Sequence, residues 1–250
     1  MAALLEVEDV TKAFGGVQAL AGVRLTIDEG GLRCIIGPNG CGKTTLFNVI
    51  TGAFRPTSGA VRFAGRDITG LPPHRISRLG IARKFQVPGI YPSLTVAENL
   101  EVPRVAAHAR RGPLGLLRGR ARRGDGRELL VRFGLAEHAA ELAGVLAHGR
   151  KQWLEIAMLL AGEVRLLLLD EPTAGMTVAE TARTADLIRE IHVGTGVAVL
   201  IIEHDMSFVQ RLDCPVVVMM RGAVVREGSY REIQRDRAVR EAYLGQAGAC

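Results

Sequence analysis

Hydrophobic and polar residues alternate in short runs near the start of the chain. Residues 5–10 and 23–27 alternate with a period of two, and residues 60–63 repeat the pattern. This period is typical of strands that bury one face against a core. We therefore predict a small antiparallel β layer in the N-terminal region.

A second type of apolar run is continuous. Residues 32–36, 166–169 and 197–202 are almost uninterrupted sequences of apolar side chains. Continuous runs of this length are typical of strands that are buried on both faces, as in a parallel sheet. Residues 216–226 carry a turn at Arg221-Gly222 between two further short runs and predict a hairpin.

Helices are predicted between these strands. Residues 95–98 and 177–180 both read Thr-Val-Ala-Glu, a capping box that opens a helix. After the second box, Ala185, Ile188 and Ile191 share one helical face. Because no strand pattern stands out between the first box and residue 165, we expect a middle region that is mostly α within an α/β fold.

Composition argues against a membrane-spanning protein and against a fold held together by disulfides. The chain has 250 residues, of which 48% are hydrophobic, so it can bury a sizeable core. Its apolar runs are far shorter than the roughly 20 residues that span a bilayer, so we expect no membrane-spanning helix. The four cysteines show no C-x-x-C pair, which favours a reducing compartment over a disulfide framework.

The net charge of +6 comes mostly from arginine, and the densest arginine run covers residues 104–127. This run contains no aromatic residue to stack on bases and several glycines interrupt it. Because of these two features, we interpret it as a solvated loop or a short helical insertion, and we expect no nucleic acid partner.

Residues 37–44 fit the phosphate-binding pattern G-x-x-x-x-G-K-[ST] and join an apolar strand run to a helical run. In that context the loop N–H groups and the helix N-terminus face an anion, Lys43 reaches the β and γ phosphates, and Thr44 binds Mg²⁺. The pattern therefore predicts binding of ATP or a similar nucleotide by Gly37, Pro38, Asn39, Gly40, Cys41, Gly42, Lys43 and Thr44.

Cys41 is an unusual member of this loop. A helix N-terminus can lower the pKa of a thiol, which would favour redox chemistry. We interpret Cys41 instead as a replacement for a small polar residue.

Three further side chains complete a hydrolytic set at strand ends. Asp170 and Glu171 follow an apolar strand, and His204 follows another. In phosphoryl transfer such groups hold Mg²⁺ through its water shell (Asp170), activate the attacking water (Glu171) and contact the γ-phosphate (His204). The sequence thus predicts ATP hydrolysis.

In these features the whole chain resembles the ATP-binding subunits of ABC transporters. The resemblance also includes a Q-loop at residues 83–86, a signature region at residues 146–152 and a D-loop at residues 174–177. It implies a P-loop NTPase (RecA-like) core with an N-terminal antiparallel β layer and an inserted α-helical subdomain. The implied division is residues 1–90 and 161–250 for the core and 91–160 for the helical signature subdomain, with the basic insertion at 104–127.

The resemblance implies roles for residues that spacing alone does not assign. Gln86 is expected to act in catalysis and on Mg²⁺, Phe14 to stack on adenine, and Thr45 to contact the nucleotide. Ala147, His148 and Gly149 are expected to serve the nucleotide bound by a partner subunit. The alternative for Phe14 is an ordinary core phenylalanine.

The same resemblance implies an assembly on the cytoplasmic face of the plasma (inner) membrane. The expected partners are two membrane permease subunits, a second ATPase subunit in a head-to-tail dimer, and a solute-binding protein that acts through the permease. The family's two-ATPase arrangement and Ala147, which replaces the family serine, together favour a sister subunit as the second ATPase. We expect Ala147 to weaken the site built on the partner's nucleotide.

Several stretches resemble, within this family, the ATPases that power uptake of branched-chain amino acids, other amides and urea. They are residues 46–52, 55–59, 80–86, 203–206 and 242–245. Residues 83–86, 148–160 and 174–177 look more like the urea importer ATPase, so urea is the expected solute and branched-chain amino acids are the alternative. Two other readings stay open: a soluble ABC ATPase acting on DNA or ribosomes, and a nucleotide-gated regulatory subunit that scarcely hydrolyses ATP.

Overall fold

The computed structural model describes residues 3–84, 89–109, 124–237 and 239. The strands in these residues are β1 (Ala3–Phe14), β2 (Val17–Asp28), β3 (Leu32–Ile36), β4 (Ser58–Phe63), β5 (Arg66–Asp67), β6 (Ile81–Lys84), β7 (Leu166–Asp170), β8 (Ala198–Ile202), β9 (Val216–Met220) and β10 (Ala223–Gly228). The helices are α1 (Lys43–Ile50), α2 (Pro73–Arg78), α3 (Val96–Ala109), α4 (Gly124–Arg132), α5 (His148–Leu160), α6 (Val178–Thr195), α7 (Met206–Leu212) and α8 (Tyr230–Arg235).

The strands form two sheets. The first is antiparallel with the order β2-β1-β4-β5, as the alternating N-terminal runs predict. The second has the order β10-β9-β3-β8-β7-β6, in which only the edge strand β10 runs antiparallel to its neighbour. The predicted α/β fold class is therefore confirmed.

Side chains that alternate along the second sheet fill two hydrophobic clusters. Leu166 and Leu168 point into a cluster shared with the antiparallel sheet and α1, whereas Leu167 and Leu169 point into a cluster shared with α3, α5 and α6. Both faces of the sheet are thus covered, which explains why its central strands are continuous apolar runs.

The two predicted capping boxes are present. Thr95 and Glu98 exchange backbone and side-chain hydrogen bonds at the start of α3, and Thr177 and Glu180 do the same at the start of α6. These boxes satisfy N–H groups that have no partner within the helix.

The structure adds a strand that the sequence analysis did not assign, and it corrects one expectation. Arg83 and Lys84 lie on strand β6, which has only four residues, two of them charged, and so gives little strand signal. Arg104, the first arginine of the basic run, is 6% exposed and bonded to Glu101, so it is not a solvated charge. Residues 110–123 of that run lie outside the described residues.

In the part of the chain that the structure describes, no helix is long and apolar enough to cross a membrane.

Candidate nucleotide-binding and hydrolysis site

The phosphate loop lies between β3 and α1, as predicted. Gly42 precedes α1 with a φ of 105°, and a Cβ added there would lie 2.5 Å from the carbonyl oxygen of Ala19. Only glycine adopts this conformation without strain in such limited space. The loop therefore turns tightly into a helix whose first N–H groups are available to an anion.

Lys43 is folded back onto this loop. Its Nζ donates hydrogen bonds to the carbonyl oxygens of Gly37 at 2.7 Å and Pro38 at 3.0 Å. The residue is only 7% exposed, so the ammonium group is held in the concave side of the loop. A phosphate placed against the loop N–H groups would lie within reach of the same ammonium.

Cys41 does not have the low thiol pKa that its helix-terminal position suggests. Burial raises its pKa, and the nearby Lys43 opposes this only in part. Cys41 is 4% exposed, so the structure favours the interpretation as a small packing residue.

The remaining carboxylates lie at the same edge of the sheet as the loop. Because β3, β8 and β7 run parallel in this order, their carboxyl ends align, and Asp170 and Glu203 lie at the same sheet edge as the end of β3. Asp170 ends β7 and is 1% exposed. Glu171 follows with a φ of 46°, a conformation that costs energy for a residue other than glycine and clusters at functional sites.

His204 approaches Glu171 from the end of the neighbouring strand. Its Nδ1 lies 3.8 Å from Oε1 of Glu171, and its side chain is 60% exposed. Both groups therefore face one region of solvent-accessible space beyond the sheet edge.

Arg83 is a part of this site to which the sequence assigned no role. Its guanidinium donates to Oδ2 of Asp170 at 2.9 Å and to Oδ1 of Asn48 at 2.6 Å. It thereby ties Asp170 to helix α1, which carries the phosphate loop. The other oxygen of Asp170, Oδ1, is buried and has no hydrogen-bond partner among the described residues.

The donor set fits a magnesium nucleotide. The unpartnered Oδ1 of Asp170 can accept a hydrogen bond from a water molecule on the ion, and the exposed Thr44 can supply a hydroxyl oxygen. No cluster of three or more His, Cys, Asp or Glu side chains with metal-binding geometry occurs in the described residues.

Glu203 is a second residue that sequence reasoning missed. It is fully buried and accepts hydrogen bonds from the N–H of Thr173 at 3.1 Å, the hydroxyl of Thr173 at 2.5 Å and the N–H of His204 at 3.0 Å. Glu203 thus fixes the loop after Glu171 relative to His204. A charged residue at the end of an otherwise apolar strand is the sequence signal that points to it.

The signature residues lie at the start of α5. Nε2 of His148 is 3.1 Å from the carbonyl oxygen of Ala174 in the D-loop. Gly149 packs against Oε1 of Glu180 so closely that a Cβ would clash. Ala147 is the N-cap of α5 and supplies no side-chain hydrogen bond. The signature and the D-loop of one chain therefore form one surface.

Phe14 is exposed and is not a core phenylalanine. It is 42% exposed, and its ring contacts that of Phe54 edge-on at 5.2 Å between centroids. Nζ of Lys12 lies 4.8 Å from the Phe14 centroid. Lys12 and Phe54 were not predicted, since their contacts arise only from the fold. Gln86 and Phe85 lie outside the described residues.

A mostly parallel sheet with a phosphate loop after β3 and carboxylates at the end of β7 defines a P-loop NTPase. A profile described as ABC transporter matches residues 20–174, and one described as branched-chain amino acid ATP-binding cassette transporter matches residues 227–249. The chain belongs to the ATP-binding cassette subunits of the ABC transporter family, and it is an ATPase coupled to transport.

Individual relatives support this assignment. The chain is 39% identical to the high-affinity branched-chain amino acid transport ATP-binding protein BraF of Pseudomonas aeruginosa. It is 36% identical to the high-affinity branched-chain amino acid transport ATP-binding protein LivG of Escherichia coli K12, and each alignment covers 98% of both chains. Among solved structures it is similar to the ADP conformation of MJ1267, an ATP-binding cassette of an ABC transporter, with a TM-score of 0.83, 30% identity and coverage of 98% of this chain and 100% of the other.

Proposed function

We propose that this chain is the ATP-hydrolysing subunit of an importer that takes up a small nitrogenous solute, and that branched-chain amino acids are its solutes. The observation that carries the proposal is the convergence of the phosphate loop, Asp170, Glu171 and His204 at one sheet edge in a member of this family. The names of BraF and LivG favour branched-chain amino acids.

In this proposal Lys43 exchanges the carbonyl oxygens of Gly37 and Pro38 for the β and γ phosphate oxygens of ATP. The N–H groups of the loop and the positive end of the α1 dipole hold the same phosphates. Residues 38–42 and Thr45 complete this cradle.

Mg²⁺, when bound, would neutralise phosphate charge as it develops during transfer. Thr44 would supply a hydroxyl ligand, Asp170 would hold a water molecule of the ion through Oδ1, and Gln86 is assigned to the same ion from the family resemblance. Arg83 keeps Asp170 oriented for this role through its second oxygen.

Glu171 is the proposed group that orients or deprotonates the attacking water, and His204 is the proposed contact to the γ-phosphate. Their 3.8 Å separation allows both to reach one water molecule or phosphate oxygen. Phe14 offers one exposed ring face to adenine while Phe54 supports it edge-on.

The site is completed by partners. In a head-to-tail dimer the surface formed by Ala147, His148 and Gly149 faces the nucleotide of a second ATPase subunit, for which we propose a sister subunit. Two permease subunits, with a solute-binding protein acting through them, hold the chain at the cytoplasmic face of the inner membrane.

A groove beside β6 supports the permease contact. It has a volume of about 450 Å³ and is lined by α2, β6 and the end of α5, including Ile76, Ala82 and Met158. Because Arg83, the first residue of the Q-loop region, also lines it, a permease segment in this groove would lie beside Arg83.

Urea is the second candidate solute. Residues 83–86, 148–160 and 174–177 favour it by resemblance, but the comparisons do not support it, and the relatives named above carry branched-chain names. Because this chain does not contact the solute in such an assembly, only the complete complex can distinguish the two.

The test is ATP hydrolysis by this chain assembled with its permease and sister subunits in lipid, with leucine or urea presented on the matching binding protein. Stimulation by leucine alone, abolished by Glu171→Gln, is the expected result. Stimulation by urea alone would transfer the assignment to urea. Hydrolysis that responds to neither solute and survives Glu171→Gln would overturn the proposed function.

A further inference from the structure

A buried ion pair joins the sheet to the signature helix, and the proposed chemistry does not use it. Nζ of Lys84, at the end of β6, lies 3.8 Å from Oε2 of Glu155 in the middle of α5. The side chains are 0% and 5% exposed. Burying each of these charges costs free energy, so the presence of the pair inside the protein needs an explanation.

The same carboxylate makes a second contact with the chain further along. Oε1 of Glu155 accepts a hydrogen bond from the N–H of Gly89 at 3.0 Å. Lys84 and Gly89 are the residues on either side of positions 85–88, which include Gln86. One side chain of α5 therefore holds the residues on both sides of the Q-loop glutamine segment.

Three carboxylates act electrostatically on the Lys84 side chain. Burial lowers the pKa of Lys84, whereas the carboxylates of Glu155, Asp170 and Glu203 oppose that change. Lys84 thus lies in the field of the carboxylate proposed to act on Mg²⁺ and of the one that fixes His204. Its position is therefore electrostatically linked to the site.

Stability alone does not account for such a pair. Replacing a buried ion pair by apolar residues of similar volume is often neutral or stabilising, so the pair is better explained by the geometry that it imposes. The ammonium of Lys84, which precedes residues 85–88, and the N–H of Gly89, which follows them, both contact the carboxylate of Glu155 on α5.

We propose that Lys84 and Glu155 are positioning residues that form a charged joint, through which the signature helix α5 and the two ends of the Q-loop segment move together. This inference rests on the proposed function, since the movement matters only if ATP turnover responds to a transported solute. Neither residue is a catalytic residue.

The first test uses Lys84→Met combined with Glu155→Gln in the assembled complex. The glutamine keeps an oxygen for the N–H of Gly89, and removal of both charges avoids an unpaired buried ion. We expect solute-stimulated hydrolysis to fall by about 2- to 30-fold, the range seen for residues that couple distant sites, with a smaller change in the unstimulated rate. The affinity for MgATP should stay the same.

The matched control removes another ion pair that joins two elements. Arg211 and Asp186 connect α7 to α6 through two hydrogen bonds of 2.9 and 2.7 Å. Arg211→Met with Asp186→Asn should leave the ratio of stimulated to unstimulated hydrolysis unchanged. If the control loses stimulation as strongly as the joint variant, the effect is not specific to the joint and the inference fails.

A second readout does not depend on the solute. Spin labels at Arg66→Cys on β5 and Glu137→Cys between α4 and α5 report the distance from the antiparallel sheet to the helical region, in a chain whose own cysteines are replaced by alanine. With MgATP and Glu171→Gln, we expect one narrow distance distribution in the parent and a broader one in the joint variant.

The outcomes separate the two proposals. A parent complex that no solute stimulates contradicts the proposed function, while the label distances still decide the joint. A folded joint variant with parental label distances shows that Lys84 and Glu155 do not position α5, and the inference is then wrong whatever the solute.

Discussion

At the scale of single residues, Glu171 stands out in the candidate site because it is not a glycine but has a positive φ. Its φ of 46° persists because both neighbours are fixed: its own N–H donates to the carbonyl oxygen of Ile202, and Asp170 is bonded to Arg83. The surrounding structure therefore maintains a conformation that an isolated glutamate would leave. The result is a carboxylate that projects toward His204 rather than along the strand.

The first prediction concerns this carboxylate. Glu171→Gln should lower ATP turnover of the assembled complex by about 10²- to 10⁴-fold, the range for loss of a positioned general base, because an amide cannot take a proton from water. The affinity for MgATP should be retained, since the phosphate loop is unaltered. Phosphate release and nucleotide binding measure the two quantities.

Glu190→Gln is the control for this prediction. Glu190 is an exposed carboxylate on α6 that pairs with Arg183 rather than with a residue of the candidate site. It should keep parental turnover. Equal turnover of Glu171→Gln and the parent would favour a regulatory subunit over an ATPase.

Residues of the candidate site could be predicted from the sequence where motif spacing marks them, but not where only tertiary contacts bring them to the site. The phosphate loop, Asp170, Glu171 and His204 follow from motif order at strand ends. Arg83 and Glu203 could not be assigned, because their roles depend on which side chains the parallel strands bring together. Their partners, Asp170 and Thr173, are 87 and 30 positions away in sequence.

At the scale of elements, three helices begin with the same capping device. The boxes pair Thr95 with Glu98, Thr177 with Glu180, and Ser229 with Glu232. The first two were predicted from the sequence. The third was not, because its helix has only six residues and gives little periodic signal.

The second prediction is an acid dependence of stability that arises from these boxes. Hydrogen bonds from the cap residues lower the pKa of Glu98, Glu180 and Glu232 below the ordinary value of 4.5. A carboxylate whose folded-state pKa is lowered stabilises the fold above its unfolded-state pKa, and this contribution is lost as the pH falls through the folded-state pKa. The melting temperature should therefore fall as the pH is lowered from neutral to below the ordinary glutamate pKa of 4.5.

Glutamine at the three positions tests the cause. It keeps an acceptor for the cap N–H group but does not titrate in this range, so the triple variant should show a smaller fall in melting temperature on acidification. The exposed Glu137→Gln serves as a control that changes one carboxylate outside a capping box. An identical acid response of parent and triple variant would exclude the boxes as its source.

At the scale of the whole molecule, the sequence predicts the layers of the fold but not the side-chain contacts between them. Period-two alternation and continuous apolar runs predict the two sheets, and the sheet order then places the site. Strand β6 was missed because half of its residues are charged. Lys84 connects the sheet to α5, and Arg83 connects it to α1 through Asn48. Local sequence patterns do not predict such contacts, because the residues involved come together only in the folded chain.

The last prediction concerns the surface that this chain offers to a partner. Helix α5 begins after Ala147, which has no side chain to cap it, where the family usually has a serine. A serine hydroxyl would cap α5 and would also donate a hydrogen bond to the γ-phosphate in the partner's site. Such a bond to a charged group is worth about 1.5–3 kcal/mol, so Ala147→Ser should raise the affinity of the closed dimer for ATP by roughly tenfold or more.

Two measurements separate the cap from the phosphate contact. A cap alone should stabilise the isolated chain by about 0.5–2 kcal/mol, which thermal or denaturant unfolding measures. In the assembled complex, Ala147→Ser combined with Lys43→Ala disables the phosphate loop of this chain, so any remaining gain in turnover belongs to the partner's site. If Ala147→Ser raises stability and leaves turnover of the complex unchanged, the serine acts only as a cap, and the proposed asymmetry between the two ATP sites is wrong.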